Sequence, residues 1–227
     1  MNMNMVKAIF YKEWLKIRWV AIGSLLTVIG FLVYLHLDLR HTFTMYDPID
    51  VWIYFIQRKA LYYSMLKYLP AVIAIIMALV QFFPEMTKKR YRLTFHLPFS
   101  ETGSLFLMIS VGLVFFVVIS LIYIIGLTIT GMSFFPKEVG FSSLVTVAPW
   151  LLGGFVSYLG ASVIVIDPSW KYRIVYLLLF GPFIQSLYLE SSYCQYAGSF
   201  ATYLLVSLLF IPMIIFPGYR LRKGSRL

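Results

Sequence analysis

Few residues of this chain belong to the types that do chemistry, and their spacing excludes most reactions. The three histidines, His36, His41 and His96, have no second histidine or acid at metal-ligand intervals. No His-Glu-x-x-His, Cys-x-x-Cys or Gly-x-Ser-x-Gly string occurs, so zinc hydrolysis, dithiol exchange and serine hydrolysis lack their frameworks. A rhomboid-like protease also has six core spans, but its serine motif is missing here. No Gly-Lys dipeptide occurs, so there is no phosphate-binding loop to hydrolyse ATP. The lone Cys194 has no intrachain disulfide partner and reads as a small buried hydrophobe. An enzyme is therefore not expected, and neither is a cofactor or metal held by this chain. What remains is a set of basic clusters and one unusual run, residues 84–103.

The elements that would position these residues lie in lipid. Of 227 residues, 61% are hydrophobic and 12% charged, against roughly 25% charged in a soluble domain. Six uncharged stretches, 19–37, 68–84, 102–136, 139–166, 174–189 and 191–219, separate the charges. Each is near or above the ~17–25 residues that cross a bilayer as a helix. The expectation is an all-α, six-span membrane protein in a single transmembrane domain, residues 1–227. Its spans are placed at about 19–37, 67–84, 104–130, 142–166, 172–190 and 197–217. Tyr34 to Asp38 offers no small-x-small cleavage site, so the first span reads as retained rather than as a signal peptide.

Orientation follows from lysine and arginine. With the N-terminus inside, 14 of the 19 basic residues fall on the inner side, while the nine acids divide four inside and five outside. Both termini are expected in the cytoplasm, and the formal charge of +10 marks a cytoplasmic face, aided by anionic lipid. Nucleic acid is not an expected partner.

Residues 5–18 have helical periodicity with basic residues opposite Val6, Ile9, Phe10, Trp14 and Ile17. They are expected to lie in the inner interface, anchored by Trp14, Arg18 and Trp19; a cytoplasmic extension of the first span is the alternative. Asp47-Pro48-Ile49-Asp50 predicts a capped helix in the long outer connection, 38–66, carrying Trp52, Phe55, Tyr62, Tyr63 and Leu66. That helix could be a gate or a surface element, with a bend at Pro70 before the second span. Gly153, Ser157 and Ala161 form a ridge of small residues for close helix approach, within the chain or between subunits. Asp167-Pro168-Ser169-Trp170 is expected to cap the fifth spanning helix. The spans hold no evident buried acid or base, which argues against an ion-coupled carrier.

Residues 84–103 join the basic run Lys88-Lys89-Arg90 and Arg92 to an apolar, aromatic segment holding Leu93, Phe95, Leu97 and Phe99, then a helix start at Ser100-Glu101-Thr102. Charge beside exposed apolar groups suggests a protein contact; a loop dipping into lipid is the alternative.

Two strings carry a family resemblance. Tyr11-Lys12-Glu13-Trp14-Leu15-Lys16-Ile17-Arg18 resembles the opening of bacterial ATP-binding-cassette exporter permeases of the ABC type 2 superfamily. Residues Glu85 to Ser100, with Leu93-Thr94-Phe95-His96-Leu97-Pro98, resemble that family's cytoplasmic coupling segment, though Phe95 stands where an aliphatic residue is usual. The resemblance implies a transmembrane subunit in the bacterial inner membrane, moving a substrate outward. It would pair with a second permease subunit, identical or related, and with two copies of a separate ABC ATPase that binds ATP and magnesium. Glu85, Arg90, Arg92, Leu93, Phe95 and Leu97 would meet that ATPase, with Asp167, Lys171 and Arg173 as a secondary cytoplasmic contact. The alternative is a non-transporting six-span scaffold or immunity-type protein.

Overall fold

The computed structural model describes residues 3–57, 60–87, 101–189 and 192–223, and these contain helices and no strand. α1 runs Met3–Met45, α2 Pro48–Trp52, α3 Leu69–Thr87, α4 Glu101–Phe134, α5 Lys137–Ile166, α6 Trp170–Leu187, α7 Phe200–Leu209 and α8 Ile215–Lys223. A π-turn covers Ile53–Gln57, and 3-10 turns cover Ser64–Leu66 and Ile211–Ile214. Five helical stretches are long and apolar enough to cross a membrane: Val6–Met45, Ser64–Thr87, Gly103–Phe134, Lys137–Ile166 and Phe200–Arg220. α6, at 18 residues, carries Lys171, Arg173 and Gln185 and falls short of that composition. Large apolar side chains such as Leu26, Val33, Val117, Leu121 and Ile125 face outward. That arrangement suits lipid, where an apolar surface costs nothing, and the protein fits a membrane-embedded bundle.

α5 is the central helix. α3 packs on one side of it and α6 on another, while α1 lies against α4 and α3. Its small residues permit this. A Cβ on Gly153 would come within 2.6 Å of the Tyr188 ring, one on Gly154 within 2.6 Å of Phe116, and one on Gly160 within 2.8 Å of Phe180. The ridge of Gly153, Ser157 and Ala161 is thus part of an intrachain seam, with Ser157 buried and Ala161 half-buried against the core.

Three local expectations need correcting. Residues 5–18 are not a separate interfacial helix: α1 is continuous for 43 residues, because no proline interrupts it and no glycine precedes Gly23. Trp14 accordingly stacks on Phe115 of α4 with centroids 4.9 Å apart, Arg18 lies 5.3 Å over the Trp19 ring, and only Trp19 is well exposed. Pro70 does not bend a helix already under way. It sits in the first turn of α3, where its missing N–H has no partner to lose. The helix of the 38–66 connection begins as expected, with Asp47 accepting from the Ile49 N–H at 3.0 Å. Its α-helical part ends at Trp52 and widens into the π-turn Ile53–Gln57, and Tyr62 to Leu66 fall in a separate turn.

The chain then turns inward. Tyr62, Tyr63 and Leu66 are buried, while Ile49 and Tyr54 remain exposed. Tyr62 stacks on Phe135 and donates to Ser143 Oγ at 3.2 Å. Tyr63 meets Trp150, and Trp52 Nε1 donates to the Phe134 carbonyl. The connection between α1 and α3 therefore plugs one end of the bundle instead of lying flat on it.

Candidate functional site

At the other end, four helices meet around a chain of polar side chains. Glu13 and Lys16 come from α1, Gln81 and Glu85 from α3, and Tyr158 from α5; α4 supplies backbone. Lys16 Nζ lies 2.6 Å from Glu13 Oε1 and 2.5 Å from Glu85 Oε1. Lys12 reaches the same Glu85 oxygen at 3.0 Å from a more exposed position. Gln81 Nε2 donates to Glu13 Oε2 at 3.1 Å and to the Met108 carbonyl at 2.6 Å. The Tyr158 hydroxyl is 2.5 Å from Gln81 Oε1 and 3.2 Å from the Ile109 carbonyl.

The sequence builds this arrangement from helical spacing. Lys12, Glu13 and Lys16 sit within four residues, so both lysines flank the glutamate on neighbouring parts of α1. Gln81 and Glu85 are one turn apart on α3 and face the same way. Tyr158 projects from α5 across α4 at Gly112, where a Cβ would fall 2.0 Å from the tyrosine oxygen and 2.5 Å from Gln81 Oε1. Only glycine leaves room for that crossing.

The electrostatics balance within the cluster. Glu13 and Glu85 are 0% and 1% exposed, and two ammonium groups oppose the two carboxylates. Burying charge is tolerated when it is paired and hydrogen-bonded. Glu85 Oε2 alone has no hydrogen-bond partner. No nucleophile stands beside a base in this cluster, and no group of three metal-ligating side chains occurs among the described residues. Its chemistry is that of a lock between helices.

A second, smaller lock joins the ends of α5, α6 and α8. Asp167, fully buried, pairs with Arg220 at 2.5 Å. Its other oxygen accepts the Ser169 N–H at 2.8 Å, and its carbonyl accepts from Arg173 Nε at 2.8 Å. Ser169, not Asp167, is the cap residue of α6. The Arg220 guanidinium also lies 3.3 Å over the Tyr172 ring.

The anticipated partner-facing residues are therefore placed as follows. Glu85 and Asp167 are turned inward and taken up by ion pairs of this chain, which corrects the expectation that they face an ATPase. Lys171 is exposed and Arg173 is half-buried. Arg90, Arg92, Leu93, Phe95 and Leu97 lie outside the described residues. The residues missed from sequence are Glu13, Gln81 and Tyr158. Gln81, the one amide in the apolar run 71–83, was the available signal; it is neither acid nor base, and it ties the buried glutamates at the ends of α1 and α3 to α5.

Comparison with protein-family models, with curated proteins and with solved structures finds no match.

Proposed function

We propose that this chain is the membrane subunit of an ATP-driven exporter of the ABC type 2 kind, with six spans, both termini cytoplasmic, and a place in the bacterial inner membrane. α6 serves as the fifth span, and α7 with α8 forms the sixth. Two ATPase subunits supply ATP hydrolysis with magnesium, and a second permease subunit completes the pathway.

One observation carries this reading. The two segments that resemble the family, 69 residues apart between Lys16 and Glu85, meet in a 2.5 Å ion pair. The run 88–100 leaves α3 directly after that pair. A push on it would reach α1 through Lys16 and α5 through Gln81 and Tyr158, which is the linkage an ATP-driven permease needs. The resemblance rests on short strings and did not require the two segments to touch.

The test is co-purification in mild detergent with an ATPase encoded beside this chain that carries a Gly-x-x-x-x-Gly-Lys-Ser/Thr loop. A stable complex that Leu97→Asp abolishes is expected, since a charge at an apolar anchor is strongly unfavourable. Failure to recover any ATPase with the native chain would defeat the proposal. Cysteines placed at Lys7 and Lys171 should both be labelled only from the cytoplasmic side.

A further inference from the structure

α3 and α6 both lean on α5 and hardly touch each other. Between them lies an open groove of about 490 Å³, floored by Ile164 and walled by Leu79 and Phe83 of α3 and Leu177 of α6. Its wall along α3, from Leu79 to Thr87, is about 12 Å long at 1.5 Å per residue. Phe83 and Leu177 stay well exposed, so the trough opens sideways, towards lipid.

One end of this groove is polar. Arg173 and Trp170 line it, with the guanidinium 5.8 Å over the indole ring. Arg173 uses its Nε–H on the Asp167 carbonyl, and its terminal NH₂ groups have no partner among the described residues. Lys171, two residues earlier in the same first turn of α6, is exposed. An apolar trough that ends in an oriented guanidinium, an exposed ammonium and an interfacial tryptophan is complementary to one kind of molecule: an acyl chain bearing an anionic phosphate.

We propose that this groove binds an anionic glycerophospholipid. Its phosphate is held by Arg173 and Lys171, its headgroup lies level with Trp170, and one acyl chain lies along Leu79, Phe83, Ile164 and Leu177. The site holds this lipid as a standing ligand that wedges α3 and α6 apart. Assigning it to the cytoplasmic leaflet rests on the orientation proposed above; the binding itself does not.

The experiment is native mass spectrometry of the full chain in mild detergent, titrated with phosphatidylglycerol or phosphatidylcholine of identical acyl chains. Phosphatidylglycerol is expected to bind about tenfold or more tightly, because the quaternary ammonium of phosphatidylcholine offsets its phosphate charge and is repelled by the basic end of the groove. Arg173→Gln should erase that preference while leaving the weaker binding common to both lipids. Leu177→Trp, which fills an exposed wall position, should reduce binding of both. Thermal melts of each variant check that the bundle is intact, and Lys171→Gln, at an exposed position, supplies a variant with little folding risk that should lower the preference severalfold. Equal binding of the two lipids, or a preference unchanged in both Arg173→Gln and Lys171→Gln, would overturn the proposal. So would efficient disulfide dimers of Leu177→Cys in a Cys194→Ser background, because a second copy would then fill the groove. Cytoplasmic labelling at Lys7 and Lys171 reads the orientation separately, so failure there leaves the lipid result standing.

Discussion

Lys16 of α1 and Glu85 of α3 are joined by a 2.5 Å ion pair whose carboxylate is buried. Glu13 lies on the other side of the same ammonium, so one lysine bridges two buried acids, with Lys12 supplying the second positive charge.

Removing that lysine should be costly. Lys16→Met leaves Glu13 and Glu85 short of a cation and is expected to destabilise the protein by about 3 kcal/mol. Lys12→Met, at a more exposed position, should cost under about 1 kcal/mol. Thermal unfolding in detergent measures both. Equal effects of the two substitutions would show that Lys16 is not the centre of the cluster.

Gly112 should tolerate no side chain. Gly112→Ala puts a Cβ 2.0 Å from the Tyr158 oxygen, so the Tyr158–Gln81 bond must break or α4 must move, at about 1–3 kcal/mol. Gly23 and Gly30 have open space at the same test. Their alanine variants should be neutral or stabilising by up to about 1 kcal/mol. A melt in which all three variants behave alike would contradict this packing.

The seam on α5 yields a prediction about assembly. Gly153→Ala and Gly160→Ala meet Tyr188 and Phe180 of the same chain. Each should lower stability by about 1–3 kcal/mol and leave the oligomeric state unchanged. Size-exclusion chromatography with light scattering would show whether subunit association shifts instead.

Asp167→Asn should loosen the end of α8 first. Arg220 would lose its charge partner and keep only its stack on Tyr172. Hydrogen exchange across residues 215–223 should rise about tenfold while α5 stays protected, for a loss of about 1.4 kcal/mol. Arg220→Lys should do nearly the same, since an ammonium cannot both stack and pair in that geometry.

Much of the bundle was legible because apolar runs between charges report spanning helices directly. The start of α2 was legible too, since Asp47 followed by Pro48 satisfies local backbone groups without tertiary help. The cluster around Lys16 was not. Glu13 sits among lysines and reads as part of a cytoplasmic face, and Gln81 and Tyr158 carry no charge. They are 68 to 77 residues from their partners, so no local pattern joins them. The continuity of α1 was missed for the opposite reason: a charged amphipathic stretch and an apolar one look like two elements, although nothing in the backbone separates them.

At 43 residues, α1 is a rod about 64 Å long, roughly twice the ~30 Å hydrocarbon thickness. Its N-terminal part is held by Glu85 and Gln81, and its C-terminal end by Phe43 stacked on Phe134 and edged against Phe135. Between these grips Gly23 and Gly30 face open space. On its other face Val28, Leu32 and Leu35 are buried in the core and form a fulcrum: a stiff rod resting there turns as a see-saw, and a tilt started at Lys16 arrives at Phe43 with its direction reversed.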